Sequence, residues 1–377
     1  MPLTIVQAAA FPFPSPQGSQ VYVHGMSRAL ARRGHRVIVA CYGHGLGEAD
    51  PSIEVLRTPA PPGYRNLRAG PDWVKPWLDV ALAARLVGVD ADVIHAHNYE
   101  APIAAYIARA VRGTPVVYNN HNTMGEELHR YFTSPLARRA AQRFGRWLDG
   151  AVPRRADAAV AISESAEPLL EELGCRDVTF IPPGVDSEEL VGDGAAIVEE
   201  LDLSGRTWVI YAGNPDAYQD LEVLVDAVAS LDQLGLIMVS ASPLEVWEGR
   251  AASIPSCRKR FVVTSSWDRV RNCLAAADMA ALPRAVCSGY PIKLLNTLGF
   301  GLPTVACEGS ARDIAGVVAV PNGDVEAFAE ALAALEADAA RRTELGEAGR
   351  RDIRERFTWD ACAERLEAVY ERVTKTR

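Results

Sequence analysis

Two α/β domains, each a parallel sheet covered by helices on both faces, are predicted by three features of the chain. Its 377 residues suit two domains better than one. Apolar runs of strand length alternate with helix-length stretches through the first half, the pattern of strand–helix–strand units. The alternation stops at Pro182-Pro183-Gly184 and restarts at Trp208 with a second series of similar size. Hydrophobic residues make up 49% and charged residues 23%, so a large core is available and disorder is excluded.

In the first series, residues 3–8 (LTIVQA) form a buried-strand pattern, followed by a Pro/Gly loop and a helix from 19 to about 33. Strands follow at 37–42 and 53–58, then a Pro/Gly loop carrying Trp73 and a helix through 86. Next come a strand at 92–97 (DVIHAH), a helix to about 110, a strand at 115–120 and one long Arg-rich helix across 130–155. Strands at 158–163 and 178–184 close the series. The second reads as strand 208–213, a helix from about 219, strands 234–240 and 260–265, and a helix to 277. Strand 279–283, helix 293–300, strands 303–308 and 317–320 and terminal helices complete it. Two doubly wound domains imply a cleft, with ligands beyond the carboxyl ends of the strands.

Charge and cysteines exclude several classes. Residues 1–183 carry a net +2 and the remainder −11, which disfavours a nucleic-acid binder. Seven cysteines without CxxC spacing predict reduced thiols, not a disulfide or zinc framework. No apolar run is long enough to span a bilayer, and the N-terminus lacks a basic signal region, so the expected location is cytoplasmic.

Two loops carry the candidate chemistry. Gly18 and Ser19 sit where a loop enters a helix, so their amides can face an anion; the same pair also fits an ordinary βα turn. Neither GxGxxG nor GxxxxGK[ST] is present, which weighs against NAD and P-loop chemistry. Residues 287–310 place Gly289 in a loop, Lys293 at a helix start and Asn296 one turn later on the same face. A lysine there opposes the helix dipole unless an anion compensates, so Lys293 is a candidate phosphate ligand; a solvent-facing lysine is the alternative. His121 at a strand end fits either a site or a satisfied structural group. His95 and His97 share a strand face, but no further ligand is visible and metal binding is not expected. Asp90-Ala91-Asp92 reads as a turn and strand start.

These motifs resemble, in order and over almost the whole chain, the GT-B glycosyltransferases of family 4, a large retaining group. The resemblance rests on Leu30, Gly34, His35 and Val37, on DVIHAH, YNNHN, AVAISES, IPPGVD and YAGN, on residues 287–310 and on the closing 350–373. It implies two Rossmann-like domains facing across a cleft: an N-terminal acceptor domain (1–183), a C-terminal donor domain (184–355), and a terminal helical segment (356–377) returning to the first domain. It implies that Gly18 and Ser19 contact the donor diphosphate and that His121 holds the transferred sugar. Residues Ser288, Gly289, Tyr290, Pro291 and Ile292 would line sugar and phosphates, Lys293 would pair with the diphosphate, Asn296 would face the ribose, and Thr264 and Ser265 the base. In this mechanism no enzyme carboxylate attacks the sugar. The acceptor hydroxyl enters on the leaving-group face and the departing phosphate takes its proton.

Departures from the family pattern are equally specific. Ser288 and Asn296 stand where glutamates are usual, Pro291 where a glycine is, and Asn214 and Gln219 where an arginine and a lysine normally face the diphosphate. The stretch Pro291-Ile292-Lys293-Leu294 marks a variant subgroup in which Lys293 replaces part of that charge. Ser288 implies altered contacts to the sugar's hydroxyls.

The expected activity is metal-independent, retaining transfer from a nucleotide sugar, UDP-linked, to a hydroxyl of a small-molecule, natural-product (as in antibiotic biosynthesis) or oligosaccharide acceptor, with no cofactor. The alternatives are a silent nucleotide-sugar-binding scaffold or an epimerase or hydrolase on the same fold. The loop at 60–80, with Tyr64, Arg65, Arg68, Trp73 and Lys75, fits an acceptor site or a plain surface loop. The Arg-rich helix, with Phe144 and Trp147, is expected to be solvated in preference to lying on anionic lipid.

Overall fold

The computed structural model describes residues 1–15, 18–66, 72–287 and 289–375. Among them the chain divides into two compact units, 1–184 with 359–377, and 185–358.

The first unit runs β1 (Thr4–Ala9), α1 (Gly18–Arg32), β2 (Arg36–Cys41), β3 (Glu54–Arg57), α2 (Lys75–Val87), β4 (Val93–His97), α3 (Glu100–Arg112) and β5 (Val116–Asn120). It continues through α4 (Met124–Glu127), α5 (Pro135–Ala151), β6 (Ala158–Ala161), α6 (Ala166–Glu172) and β7 (Val178–Phe180). The seven strands form one parallel sheet in the order β3-β2-β1-β4-β5-β6-β7. The order reverses between β1 and β4, so the loops after these two strands diverge and leave a crevice at their carboxyl ends. α1 buries one stripe, including Tyr22, Met26, Ala29 and Leu30. It ends on Gly34 at φ +91°, where His35 N bonds Leu30 O and Gly34 N bonds Ala31 O, a cap that needs a left-handed residue.

The second unit contains α7 (Gly194–Glu200), β8 (Trp208–Ala212), α8 (Leu221–Ala229), β9 (Gly235–Ser240), α9 (Glu245–Arg250), β10 (Lys259–Val263) and α10 (Trp267–Ala276). β11 (Met279–Leu282), α11 (Ile292–Gly299), β12 (Thr304–Cys307), β13 (Val317–Val320), α12 (Val325–Ala337) and α13 (Ala339–Arg356) follow. Its six parallel strands are ordered β10-β9-β8-β11-β12-β13, reversing between β8 and β11. The chain then enters α14 (Trp359–Lys375), which belongs to the first unit. There Trp359 lies against Gly25 of α1 so closely that a Cβ at Gly25 would stand 2.2 Å from the indole. Arg33 and His35 pair with Glu367 at 2.7 and 2.8 Å, tying α14 to the end of α1.

The long helix expected across 130–155 is a correction. The chain has a short 3-10 turn at Leu128–Tyr131, an extended Ser134 at ψ 130°, and α5 starting on Pro135. The proline ring disfavours helical geometry at the residue before it and supplies the preset φ of a first helical position. α6, α7 and α9 were not expected. They span seven, seven and six residues, too short to show a periodicity. α7 is held by an Asp193 cap on Ala195 N at 3.1 Å. Asp92 forms the predicted strand start, its carboxylate accepting from Thr4 N at 2.7 Å. Among the described residues no helix is long and apolar enough to cross a membrane.

Candidate functional site

In the second unit the candidate residues gather at the carboxyl ends of β8 and β11, where the strand order reverses. Lys293, the second residue of α11, turns its ammonium to Tyr211 OH at 2.7 Å, Gln219 Oε1 at 3.1 Å and Asn214 Oδ1 at 3.3 Å. All three acceptors are neutral. Tyr211 OH donates in turn to Asn214 O at 2.6 Å, and Gln219 Nε2 to Asn214 Oδ1 at 3.1 Å, so the cage is held from behind. Asn214 Nδ2 also binds Asp216 and, at 2.7 Å, Tyr218 OH.

Gly213 makes this reach possible, since a Cβ there would lie 2.3 Å from both Cε and Nζ of Lys293. The lysine also lies over the Tyr211 ring, 4.7 Å from its centroid. Burial, helped by nearby Arg284 and opposed by Asp216, brings the Lys293 ammonium down to about 8. A cation held by neutral dipoles and opposing the α11 dipole is an incomplete arrangement that an anion completes. Tyr211 and Gly213 fall in the YAGN motif, which supported the resemblance but gave neither residue a role. Each looks like an ordinary residue at the end of a strand, and only the approach of Lys293 gives them a part.

Around the cage, Gly289 O accepts from Arg312 Nη2 at 3.2 Å and from Cys287 Sγ at 3.4 Å. Tyr290 is buried beside Phe357, and Pro291 caps α11 with Ile292 as its first helical residue. Ser288 and Arg68 lie outside the described residues. Asn296 sits half-buried one turn beyond Lys293. Thr264 follows β10, its amide bonded to Ser240 O at 2.7 Å and its hydroxyl accepting from Ser266 N at 3.1 Å, with Ser265 exposed beside it.

In the first unit Gly18 and Ser19 form the start of α1, whose first amides have no helical partner. His121 follows β5, half-buried, with Nε2 3.0 Å from His97 Nδ1 and 3.2 Å from Asn119 Nδ2. Tyr22 of α1 packs edge-on against it at 5.1 Å. Burial alone brings the His121 imidazole down to about 3, so it is neutral. The chain after His121 is clamped by α5: Asp149 accepts from Met124 N, Gly125 N and Tyr99 OH at 2.8, 2.9 and 2.5 Å. His95 and His97, weighed from sequence as a metal pair, are consumed by hydrogen bonds to Tyr370 OH and Gln7 Oε1 at 2.8 and 2.7 Å. Among the described residues no group of three His, Cys, Asp or Glu side chains is placed to share a metal ion.

The acceptor-loop candidates are dispersed. Tyr64 binds Asp72 at 2.9 Å, while Trp73 is fully exposed. On α5 Phe144 and Trp147 stack at 5.6 Å and are 52% and 61% exposed, on a face that also carries Arg139 and Arg143.

Comparison with known proteins places the chain in a family and a fold. The pattern defining Glycosyltransferase Family 4 matches residues 16–189, and that of Glycosyl transferases group 1 matches 206–338. The chain is 28% identical to a D-inositol 3-phosphate glycosyltransferase of Xylanimonas cellulosilytica, over 96% of this chain and 93% of the relative. It is 24% identical to a phosphatidyl-myo-inositol mannosyltransferase of Mycobacterium leprae, over 96% and 95%. Its fold is similar to sucrose-phosphate synthase from Thermosynechococcus elongatus, with a TM-score of 0.79, 19% identity and 99% of each chain covered. The two Rossmann-like units are those of a GT-B enzyme, and the chain belongs to the family 4 (group 1) glycosyltransferases, enzymes that transfer sugars.

Proposed function

We propose that this glycosyltransferase is metal-independent and retaining, and that it takes its sugar from a nucleotide sugar, UDP-linked, whose diphosphate lies against Lys293 and the start of α11. The observation that carries the reading is the cage of Tyr211, Asn214 and Gln219, which aims one ammonium without neutralising it. The donor phosphate completes that charge, and the leaving diphosphate gains further stabilisation as its charge develops. Asn296 serves the ribose, the backbone at Thr264 and Ser265 the base, and Gly289 to Ile292 the sugar and phosphates. On the first unit, His121 serves the transferred sugar and the amides of Gly18 and Ser19 the diphosphate.

The acceptor oxygen forms a bond to the anomeric carbon as the bond to the phosphate oxygen breaks. The acceptor proton passes to that departing oxygen. The protein's part is positioning and charge stabilisation. The acceptor is a hydroxyl of a small polyol, natural product or oligosaccharide. A lipid-linked polyol is a second reading, favoured by the exposed Phe144–Trp147 pair beside the exposed Arg139 and Arg143 and by the name of the mycobacterial relative.

Product NMR tests the reading. Wild-type enzyme with UDP-sugars and a panel of inositol, inositol phosphate, phosphatidylinositol vesicles and oligosaccharides should yield a glycoside with the donor's anomeric configuration. An inverted product, or transfer that stops on adding a chelator, would contradict it.

A further inference from the structure

Five hydrogen bonds join six buried or half-buried side chains of the first unit into one open chain. One arm runs from His121 Nε2 to His97 Nδ1 (3.0 Å), from His97 Nε2 to Gln7 Oε1 (2.7 Å), and from Gln7 Nε2 to Tyr370 OH (3.4 Å). His121 Nε2 also meets the Asn119 carboxamide (3.2 Å), and His95 Nδ1 lies 2.8 Å from the same Tyr370 OH, while Asn119 Oδ1 and His95 Nε2 are buried without a partner among the described residues. Gln7, His95, His97 and Asn119 come from β1, β4 and β5, and Tyr370 from α14. Gln7 sits opposite His95 and His97 opposite Asn119 in the parallel register, so all four side chains share one face of the sheet. Polar groups in the centre of a parallel sheet are costly unless all are paired.

Counting hydrogens fixes the direction. Burial keeps all three imidazoles neutral, so each carries one N–H. Gln7 donates its Nε2 hydrogen to Tyr370 OH and presents its oxygen to His97 Nε2, so His97 carries its hydrogen on Nε2 and its Nδ1 accepts from His121 Nε2. His121 Nε2 then carries the hydrogen and cannot accept, so the Asn119 carboxamide turns its oxygen to it. That turn gives a partner to Asn119 Oδ1, which is otherwise buried without one among the described residues.

We infer that Gln7, Asn119 and Tyr370 are positioning residues that hold the hydrogen of His121 on Nε2 and leave Nδ1 as a lone pair for the transferred sugar. His121 Nδ1 has no partner among the described residues, and the ring nitrogen is open on that side. As an acceptor it selects a sugar that presents a hydroxyl hydrogen to it. This part rests on the role proposed above for His121; the tautomer itself does not.

The experiment is long-range 1H–15N NMR of the histidine side chains in the unliganded full chain, with His121→Gln identifying the resonances. The wild type should show His121 protonated at Nε2 and bare at Nδ1. Gln7→Leu removes one arm, so the second tautomer should appear and kcat/KM should fall about tenfold, one hydrogen bond's worth, at unchanged nucleotide affinity. Gln7→Glu, whose carboxylate can only accept from His97, should restore both. His121 protonated at Nδ1 in the wild type, or an unchanged tautomer in Gln7→Leu, overturns the inference. The predicted tautomer in a protein that transfers no sugar leaves the hydrogen-bond chain standing and removes only the role of His121.

Discussion

Gly213→Ala displaces the lysine from its cage. The new Cβ would stand 2.3 Å from Cε and Nζ of Lys293, so the ammonium must leave Tyr211, Asn214 and Gln219. The displaced atoms are the far end of a flexible side chain, but Gly213 holds φ +156°, which a side chain rarely adopts, so the fold loses some stability as well. Neighbouring backbone stays in place, with Gly213 N on Val239 O at 2.8 Å. The loss falls on the ligand, because a buried charged contact to a phosphate is worth about 2–5 kcal/mol. Nucleotide affinity should therefore weaken about 30- to 5000-fold, with a lowered but still cooperative melt. Isothermal titration with the nucleotide diphosphate and a thermal melt read the two quantities separately. Unchanged affinity in a folded Gly213→Ala protein would refute the cage as the diphosphate site.

Two pH dependences follow, both from burial that disfavours a protonated cation. Lys293 sits near 8 against an ordinary 10.5, and a diphosphate prefers its charged form, so the apparent dissociation constant should rise about tenfold between pH 7 and 9 and stay flat in Lys293→Met. The unfolded chain holds more protons between these two values, so this lysine costs stability at neutral pH and the cost is relieved as pH rises, while affinity falls. His95 in the first unit is held near 3 by burial. The unfolded state again binds more protons, now between about 3 and 6.5, so stability is lost as pH falls below 6.5. At pH 5 the loss from His95 alone is ~2 kcal/mol, measurable as a lowered denaturation midpoint that His95→Phe flattens.

The sheets were legible because buried parallel strands read as short apolar runs, and residues such as Val93 and Ile94 or Trp208 and Val209 are buried on both faces. Short helices left no such trace. α7 depends on one Asp193 cap, and α5 starts where Pro135 breaks what its arginines made look continuous. The candidate residues could be named one by one, but their association could not. Lys293 meets Asn214 and Gln219 across more than seventy residues of chain, and only because Gly213 has no side chain. Likewise the histidine pattern of β4 suggested a pair with no third member. Its partner, Tyr370, lies 275 residues beyond His95 on a helix that the chain adds last.

The central claim is that one relocated cation holds the donor diphosphate, and a thermal-shift titration of wild type and Lys293→Ala with UDP, GDP, ADP and NAD tests it most directly. At ~100 times its dissociation constant a nucleotide adds ~2.7 kcal/mol to the state that binds it. The account predicts a shift with UDP, little with NAD, and none with any nucleotide in Lys293→Ala. An equal UDP shift in Lys293→Ala would contradict it.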